Sequence, residues 1–463
     1  MKKWFIKTIS FIFIGALSSC GVKKSLDYSP EITDFNKSEI TFSSDTLLRV
    51  NQHFLQKNKF KNWALKVSGS PEEIGYYSGL LTEKLYKNQE KVFFLNIEIN
   101  IPSTFKQKML VRFLRWYSNE MYTHIADEYQ KEIHQLAQFS NDKYNWVAPK
   151  FQRALYLHGA HDIGHAMQDL ALVGCSSLAV WNENTENNEL LIGRNFDFYV
   201  GEAFAQNKLI QFIKPNQGYA FASVSWPGMV GVVSGMNVKG ITVTLNAGKS
   251  DIGLKAKSPV SIVAREIVQY AKNIPEAIEI AKRHEVFVAE SLLIGSAAER
   301  KAVIIEISPK KFDVYEPHQN YTICTNHFQS ETYKDDQRNA TAFKNSHTQY
   351  RFEKIEEKLT EVKQWNPRKM AQMLRETSGL NDVNIGFGNE KSLNQLIAHH
   401  AVIFQPEQLK MWVSSSPYQL GEMACYNLND IFKEEDFTKN NLFVEEENIK
   451  ASDFVRSSSF ANY

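Results

Sequence analysis

The sequence predicts a layered α+β protein in one domain, and two observations point there. Downstream of Gly174 the chain breaks into short apolar runs separated by Asn, Gly or Pro, the texture of an antiparallel sheet system. Upstream of it the apolar residues recur at helical spacing, and a helix pair interrupts the strands at about residues 260–283.

Residues 1–19 read as an export signal. Lys2, Lys3 and Lys7 precede an apolar run from Ile9 to Leu17 that is too short to span a bilayer comfortably. The run ends in Leu17-Ser18-Ser19-Cys20, which resembles the lipobox of bacterial lipoproteins, where the cysteine is lipidated and becomes the first mature residue. The expected location is the cell envelope, with the chain held to the membrane through lipid on Cys20. Residues 20–45 are polar and aperiodic and read as a tether.

From Trp63 a strand, a turn at Gly69-Ser70-Pro71 and a helix opened by Pro71-Glu72-Glu73 follow in order. Amphipathic patterns over about Phe105–Met121 and Ile125–Phe139 make residues 46–174 a mainly helical segment. Residues 175–463 then carry the core. Its strands are "SSLAVW", "LLIGRNFDF", "LIQFIK", "YAFASVSW", "VVSGMN", "ITVTLNA", "SLLIGSA", "AVIIEIS", "FDVYE", "YTICTNHF", "AVIFQ" and "KMWVSS". Helices are expected on either side of Asn273-Ile274-Pro275, and again in "SHTQYRFEKIEEKLTEV" and "PRKMAQMLRETSG". No internal repeat is visible.

Composition narrows the function classes. Lys plus Arg number 53 and Asp plus Glu 52, so a net charge of +1 gives no electrostatic footprint for nucleic acid. The 30 Phe, 19 Tyr and 8 Trp can fill a large core. Once Cys20 is set aside for lipid, Cys175, Cys324 and Cys425 leave an odd number, so at least one thiol is expected to be free or reactive; a Cys324–Cys425 bridge stays open. No CxxC pair offers a zinc site. His158, His161 and His165 share one helical face, but with no carboxylate or distant fourth ligand they read as hydrogen-bonded histidines. No metal or cofactor is expected.

Cys175 follows Gly174 and opens a strand, with Arg194 nineteen positions on and Asp197 three further. A three-residue spacing cannot share a face of a straight strand, so either a bend near Asn195 and Phe196 or an end of the strand near Asn195 is expected. Asn246 and Asn326 stand at the ends of two other strands, where a sheet-based site is assembled. Together "GSPEEIGYYSGLL", "GCSSLAVW…LLIGRNFDF", "GMNVKGITVTLN" and "TNHF" resemble the choloylglycine hydrolase and penicillin acyltransferase group of N-terminal nucleophile hydrolases, which includes acid ceramidase-like enzymes. The resemblance runs from about residue 64 to 425.

It implies a four-layer αββα sandwich of two antiparallel sheets with a helical N-terminal segment. It also implies self-cleavage between Gly174 and Cys175, leaving a small chain and a large chain that begins at Cys175. The chemistry is sound in itself: a thiol of pKa about 8.5 gains a built-in base in its own α-amine, at about 7.7 to 8.0. Gly174 is expected to permit a strained backbone and close approach of the thiol to its carbonyl. In the implied roles Cys175 is the nucleophile, Asp197 holds the amine and Arg194 favours thiolate. Asn246 donates to the oxyanion, and Asn326 orients the amine or leaving group. For the late arginine of the family, Arg351 is preferred over Arg338.

The expected activity is hydrolysis of, or acyl transfer from, the linear amide of a small N-acyl substrate. The identity of that amide and the oligomeric state are open. Two alternatives are a papain-type hydrolase pairing Cys175 with His327 or His400 without self-cleavage, and a non-catalytic envelope binding lipoprotein on the same fold. His399 and His400 line the cleft or are structural.

Overall fold

The structure, a computed structural model, describes residues 20–160, 162–163, 174–198, 202–433 and 447–461. The expected export signal, His161 and His165 lie outside the described residues.

The strands are β1 (Phe42–Ser43), β2 (Leu47–Val50), β3 (His53–Lys57), β4 (Trp63–Gly69), β5 (Ser176–Val180), β6 (Leu191–Phe196), β7 (Leu209–Pro215), β8 (Phe221–Ser225), β9 (Ser234–Asn237), β10 (Ile241–Ala247), β11 (Glu290–Ser296), β12 (Lys301–Ile307), β13 (Phe312–Tyr315), β14 (Tyr321–Cys324), β15 (His400–Gln405), β16 (Lys410–Ser414) and β17 (Met423–Asn427). Among the described residues they form two sheets. One has eleven strands in the order β1-β2-β3-β4-β7-β8-β9-β10-β11-β12-β13, the other six in the order β14-β5-β6-β15-β16-β17.

Period 2 along these strands sorts apolar side chains onto two faces. Ile210, Phe212, Val224, Met236, Leu293 and Ile304 of the large sheet meet Ile192, Val402, Phe404, Met411 and Val413 of the small one in an apolar interlayer core. The outer face of the large sheet, with Leu65, Val67, Val243, Leu245 and Val303, is covered by helices α1 (Pro71–Asn100), α2 (Thr104–Tyr117), α3 (Asp127–Ala137), α4 (Lys150–His158), α5 (Val260–Tyr270) and α6 (Ile274–Lys282). The outer face of the small sheet, with Leu178, Leu191, Ala401 and Ile403, is covered by α8 (Thr348–Glu361) and α9 (Pro367–Leu374), which follow α7 (Gln337–Asn345). The layers therefore stack helix, sheet, sheet, helix, as expected.

Local signals explain the helix starts. Ser70 caps α1 in a capping box with Glu73 and Pro71 stands in its first turn, so the Gly69-Ser70-Pro71 break falls where the sequence places it. Asn273 caps α6 by accepting from the Glu276 N–H. Two buried ion pairs tie the helical layer together. Arg265 makes a bidentate pair with Glu132 (3.1 and 2.9 Å), and Arg153 meets Glu90 at 3.0 Å with its remaining N–H groups donated to Asn145, Ala148, Ser140 and Asn141.

Three expectations change. Residues 46–174 are mainly helical, with β4 at the strand expected from Trp63, but β2 and β3 come before it, their alternation hidden by polar and basic outward positions. Residues 25–38 lie on the helices rather than forming a free tether, with Tyr28 stacked on Tyr122 at 4.2 Å, Gln152 Nε2 donating to the carbonyls of Ser25 and Tyr28, and the Ser38 N–H donating to the Tyr77 hydroxyl, while Phe42–Ser43 joins the large sheet as β1. Finally, β4 pairs with β7 in parallel, so the large sheet is not wholly antiparallel. A parallel neighbour needs a long crossover, and α1 to α4 together with β5 and β6 provide it.

Candidate active site

The site forms at one end of the small sheet. Pairing sets Ser177 opposite Arg194 and Ser176 opposite Asn195, so Arg194 points into the interlayer space while Asn195 points outward and donates to the carbonyls of Leu374 and Leu393. Cys175 precedes β5, and its neighbour Gly174 donates its N–H to the Asp197 carbonyl at 3.4 Å. The nucleophile candidate and Asp197 thus cap the open ends of two adjacent strands.

Arg194 is fully buried and held from several directions. Nη1 donates to the Val233 carbonyl (3.1 Å) and to Ser234 Oγ (2.5 Å), Nη2 donates to the Leu245 carbonyl, and the guanidinium lies 4.2 Å from the Phe196 ring centre. The same Nη2 reaches Cys175 Sγ at 3.8 Å. Asp197 is the first residue beyond β6, also fully buried. Of the two expected arrangements the strand end is the one found: Arg194 is presented from inside the strand and Asp197 from beyond it.

Burial dominates the electrostatics. It pushes the Cys175 thiol up to about 11, against the pull of Arg194 and of a hydrogen bond from the Asp197 backbone. It raises the Asp197 carboxyl to about 7, with Arg351 and then Arg194 opposing. The site thus holds a largely protonated thiol beside an acid whose carboxyl is raised to about 7.

Asn246 reaches from β10 across the interlayer space. Its Oδ1 accepts from Ser177 Oγ at 3.2 Å, and its Nδ2 donates to the carbonyls of Cys324 (2.8 Å) and Thr325 (3.2 Å). Both amide protons are therefore occupied, which differs from a donor waiting for an oxyanion. Asn326, two residues past β14, accepts at Oδ1 from Arg351 Nη2 (2.8 Å) and donates Nδ2 to the Ala247 carbonyl (3.0 Å). Arg351 stands in the first turn of α8, is 4% exposed, and donates Nη1 to the Glu390 carbonyl. Arg338 instead donates to the Ser250 carbonyl from α7. Cys175, Arg194, Asp197, Asn326 and Arg351 are brought into mutual electrostatic reach, with Asn246 joined to them through Ser177.

Gly174 departs from its expected role. It is not among the positive-φ glycines; what it provides is room, because a Cβ there would come within 2.1 Å of Gln395 Nε2. Gln395, in the irregular segment before β15, carried no motif and went unnoticed in the sequence.

The histidines are engaged elsewhere. His327 Nδ1 meets the hydroxyls of Thr325 and Thr348, and His400 meets Ser234 Oγ through Nε2 and His399 through Nδ1. No hydrogen bond among the described residues joins either to Cys175. His158 is paired at both ring nitrogens, with the Ala154 carbonyl and the Val230 N–H. Among the described residues no group of His, Cys, Asp and Glu could hold a metal ion. Cys324 and Cys425 are free and buried; they stand on the two edge strands and on opposite faces of the small sheet, which rules out a bridge between them.

Next to the cluster lies a cavity walled by Phe93, Phe198, Phe204, Trp226 and Met229, together with Val233 and Leu245, whose carbonyls hold Arg194. A larger hollow between Arg368, Arg375 and Lys450 shares no residue with the cluster.

Residues 183–416, just over half of the chain, match the family model of acyl-coenzyme A:6-aminopenicillanic acid acyl-transferase. An uncharacterized protein of Archaeoglobus fulgidus is 26% identical over 277 residues, covering 54% of this chain and 44% of that protein, so the match spans less than half of that relative's length. Similar solved structures include a Caenorhabditis elegans N-acylethanolamine-hydrolyzing acid amidase ortholog (16% identity, 50% of this chain and 93% of that one, TM-score 0.36). They also include a mutant of the conjugated bile acid hydrolase of Clostridium perfringens (14%, 55% and 93%, TM-score 0.38) and the penicillin V acylase of Agrobacterium tumefaciens (13%, 55% and 86%, TM-score 0.35). On the match of its residues 183–416, the chain belongs to the acyl-coenzyme A:6-aminopenicillanic acid acyl-transferase family.

Proposed function

We propose that this protein is a self-processing cysteine amidohydrolase or acyltransferase acting on the linear amide of an N-acyl substrate through a Cys175 thioester. The observation that supports this most is the convergence of Arg194, Asp197 and Arg351 on Cys175 from β6, its end and α8, all buried.

Once Cys175 is a chain terminus, its α-amine takes the thiol proton and Sγ attacks the amide carbon. The carbonyl π pair moves to oxygen, where a side-chain donor such as Asn246 steadies it after giving up one of its two carbonyl partners. Collapse breaks the C–N bond and the leaving amine takes the proton from the terminal amine. Water, or a second amine, then adds to the thioester carbon, and the thiol leaves with a proton. Asp197 accepts from the terminal amine, Arg194 stabilises thiolate, and Arg351 fixes Asn326. The envelope location belongs to the same reading, with lipid on Cys20, which is exposed.

A panel of N-acyl amides incubated with the matured protein tests it. Release of carboxylic acid, lost in Cys175→Ala, is expected; turnover that survives Cys175→Ala contradicts the reading. Cys20→Ser is expected to move the protein out of the membrane fraction.

A further inference from the structure

Self-cleavage needs its own electrophile, and the structure presents one already engaged. The carbonyl oxygen of Gly174, the bond that Cys175 would break, accepts a hydrogen bond from Gln395 Nε2 at 2.9 Å. That side chain is 3% exposed, and the same Nε2 lies 3.3 Å from Asp197 Oδ2. Gly174 has no Cβ, and any larger residue would collide with this amide. No comparable contact reaches Asn246, whose two protons go to Cys324 and Thr325.

We infer that Gln395 is the oxyanion donor of the internal reaction, a catalytic residue for chain cleavage distinct from the one that serves the substrate. The inference rests on the self-processing reading above. In the first step Cys175 Sγ bonds to the Gly174 carbonyl carbon as the carbonyl π pair moves to oxygen, and the charge grows on the atom that Gln395 already contacts. Collapse breaks the Gly174–Cys175 C–N bond. The thiol proton ends on the freed nitrogen, and a thioester joins Gly174 to Sγ. Water then adds to that carbon, the C–S bond breaks, the sulfur takes a proton, and Gly174 leaves as a carboxylic acid. Its departure removes the partner of Gln395 but leaves Asp197 Oδ2 within reach, so the amide then turns to the residue that holds the new terminus.

A side-chain amide suits this task. It is neutral, so it donates without adding charge to a buried pocket that already holds Arg194 and Arg351. It is preorganised on the ground-state carbonyl, and its hydrogen bond strengthens as the oxygen becomes anionic.

The test is the rate at which full-length precursor converts to two fragments, followed by denaturing gel and intact mass, for wild type, Gln395→Ala and the isosteric Gln395→Glu. Circular dichroism of each confirms folding. Both variants are expected to slow cleavage by about 10²- to 10³-fold. In the fraction that does mature, amide turnover is expected to fall less than cleavage does, because the substrate oxyanion is held elsewhere. A folded Gln395→Glu chain that cuts at the wild-type rate overturns the inference and leaves the self-processing reading intact. So does a variant that cuts normally and loses only turnover. A wild-type chain that never cuts overturns both.

Discussion

Arg194 Nη2 stands 3.8 Å from Cys175 Sγ while the guanidinium also donates to the Val233 and Leu245 carbonyls and to Ser234 Oγ. The guanidinium therefore does two jobs: it bridges the sheets at Val233, Ser234 and Leu245, and it supplies the positive charge nearest to the thiol.

Replacing Arg194 by Gln is expected to hurt both. In the Cys175→Ala background, which keeps the chain whole, Arg194→Gln should lower stability by about 2–4 kcal/mol, because buried carbonyls lose charged donors. Urea denaturation measures this. In the wild-type background the same change should slow self-cleavage by about 10²-fold or more, since the thiol loses the charge that opposes its burial.

Asp197 gives a pH signature. Folded, it keeps its proton up to about 7; unfolded, it releases it near 3.8. Stability contributed by the protonated acid is present at low pH and is lost as pH rises toward and through about 7. In the Cys175→Ala chain, Asp197→Asn should therefore flatten this slope and gain up to about 4 kcal/mol relative to its parent at pH 8. Parallel stability curves for the two from pH 5 to pH 8 would contradict the burial argument.

The two arginines separate cleanly. Arg351→Lys should lower amide turnover by about 10²-fold, because lysine cannot reach both Asn326 Oδ1 and the Glu390 carbonyl with one planar group. Arg338→Lys should leave turnover within about 3-fold, since Arg338 is tied to the Ser250 carbonyl on α7 and touches none of the clustered residues. Steady-state kinetics on matured protein decides between them.

Much of this was legible before any coordinates. Asn, Gly and Pro punctuation marked β5 to β16, and Pro71, Asn273 and Pro367 marked helix starts, because those residues act on the local backbone. Cys175, Arg194 and Asp197 stood out by chemistry and spacing. What stayed hidden depends on tertiary contact. β2 and β3 carry polar residues such as Arg49, Gln56 and Lys57 that mask their period, and the parallel β4–β7 pair joins segments separated by α1 to α4, β5 and β6. Gln395 is one of many glutamines until the fold brings it to the Gly174 carbonyl. The occupancy of both Asn246 protons likewise follows from where β14 ends, not from any motif.

The central claim is that the Gly174–Cys175 bond is broken by Cys175 itself. The intact mass of purified protein, alongside Cys175→Ala, tests it most directly. The account predicts two fragments for the wild type, the larger beginning at Cys175, and one uncut chain for the variant. A wild-type protein that stays whole while turning over amides would contradict it.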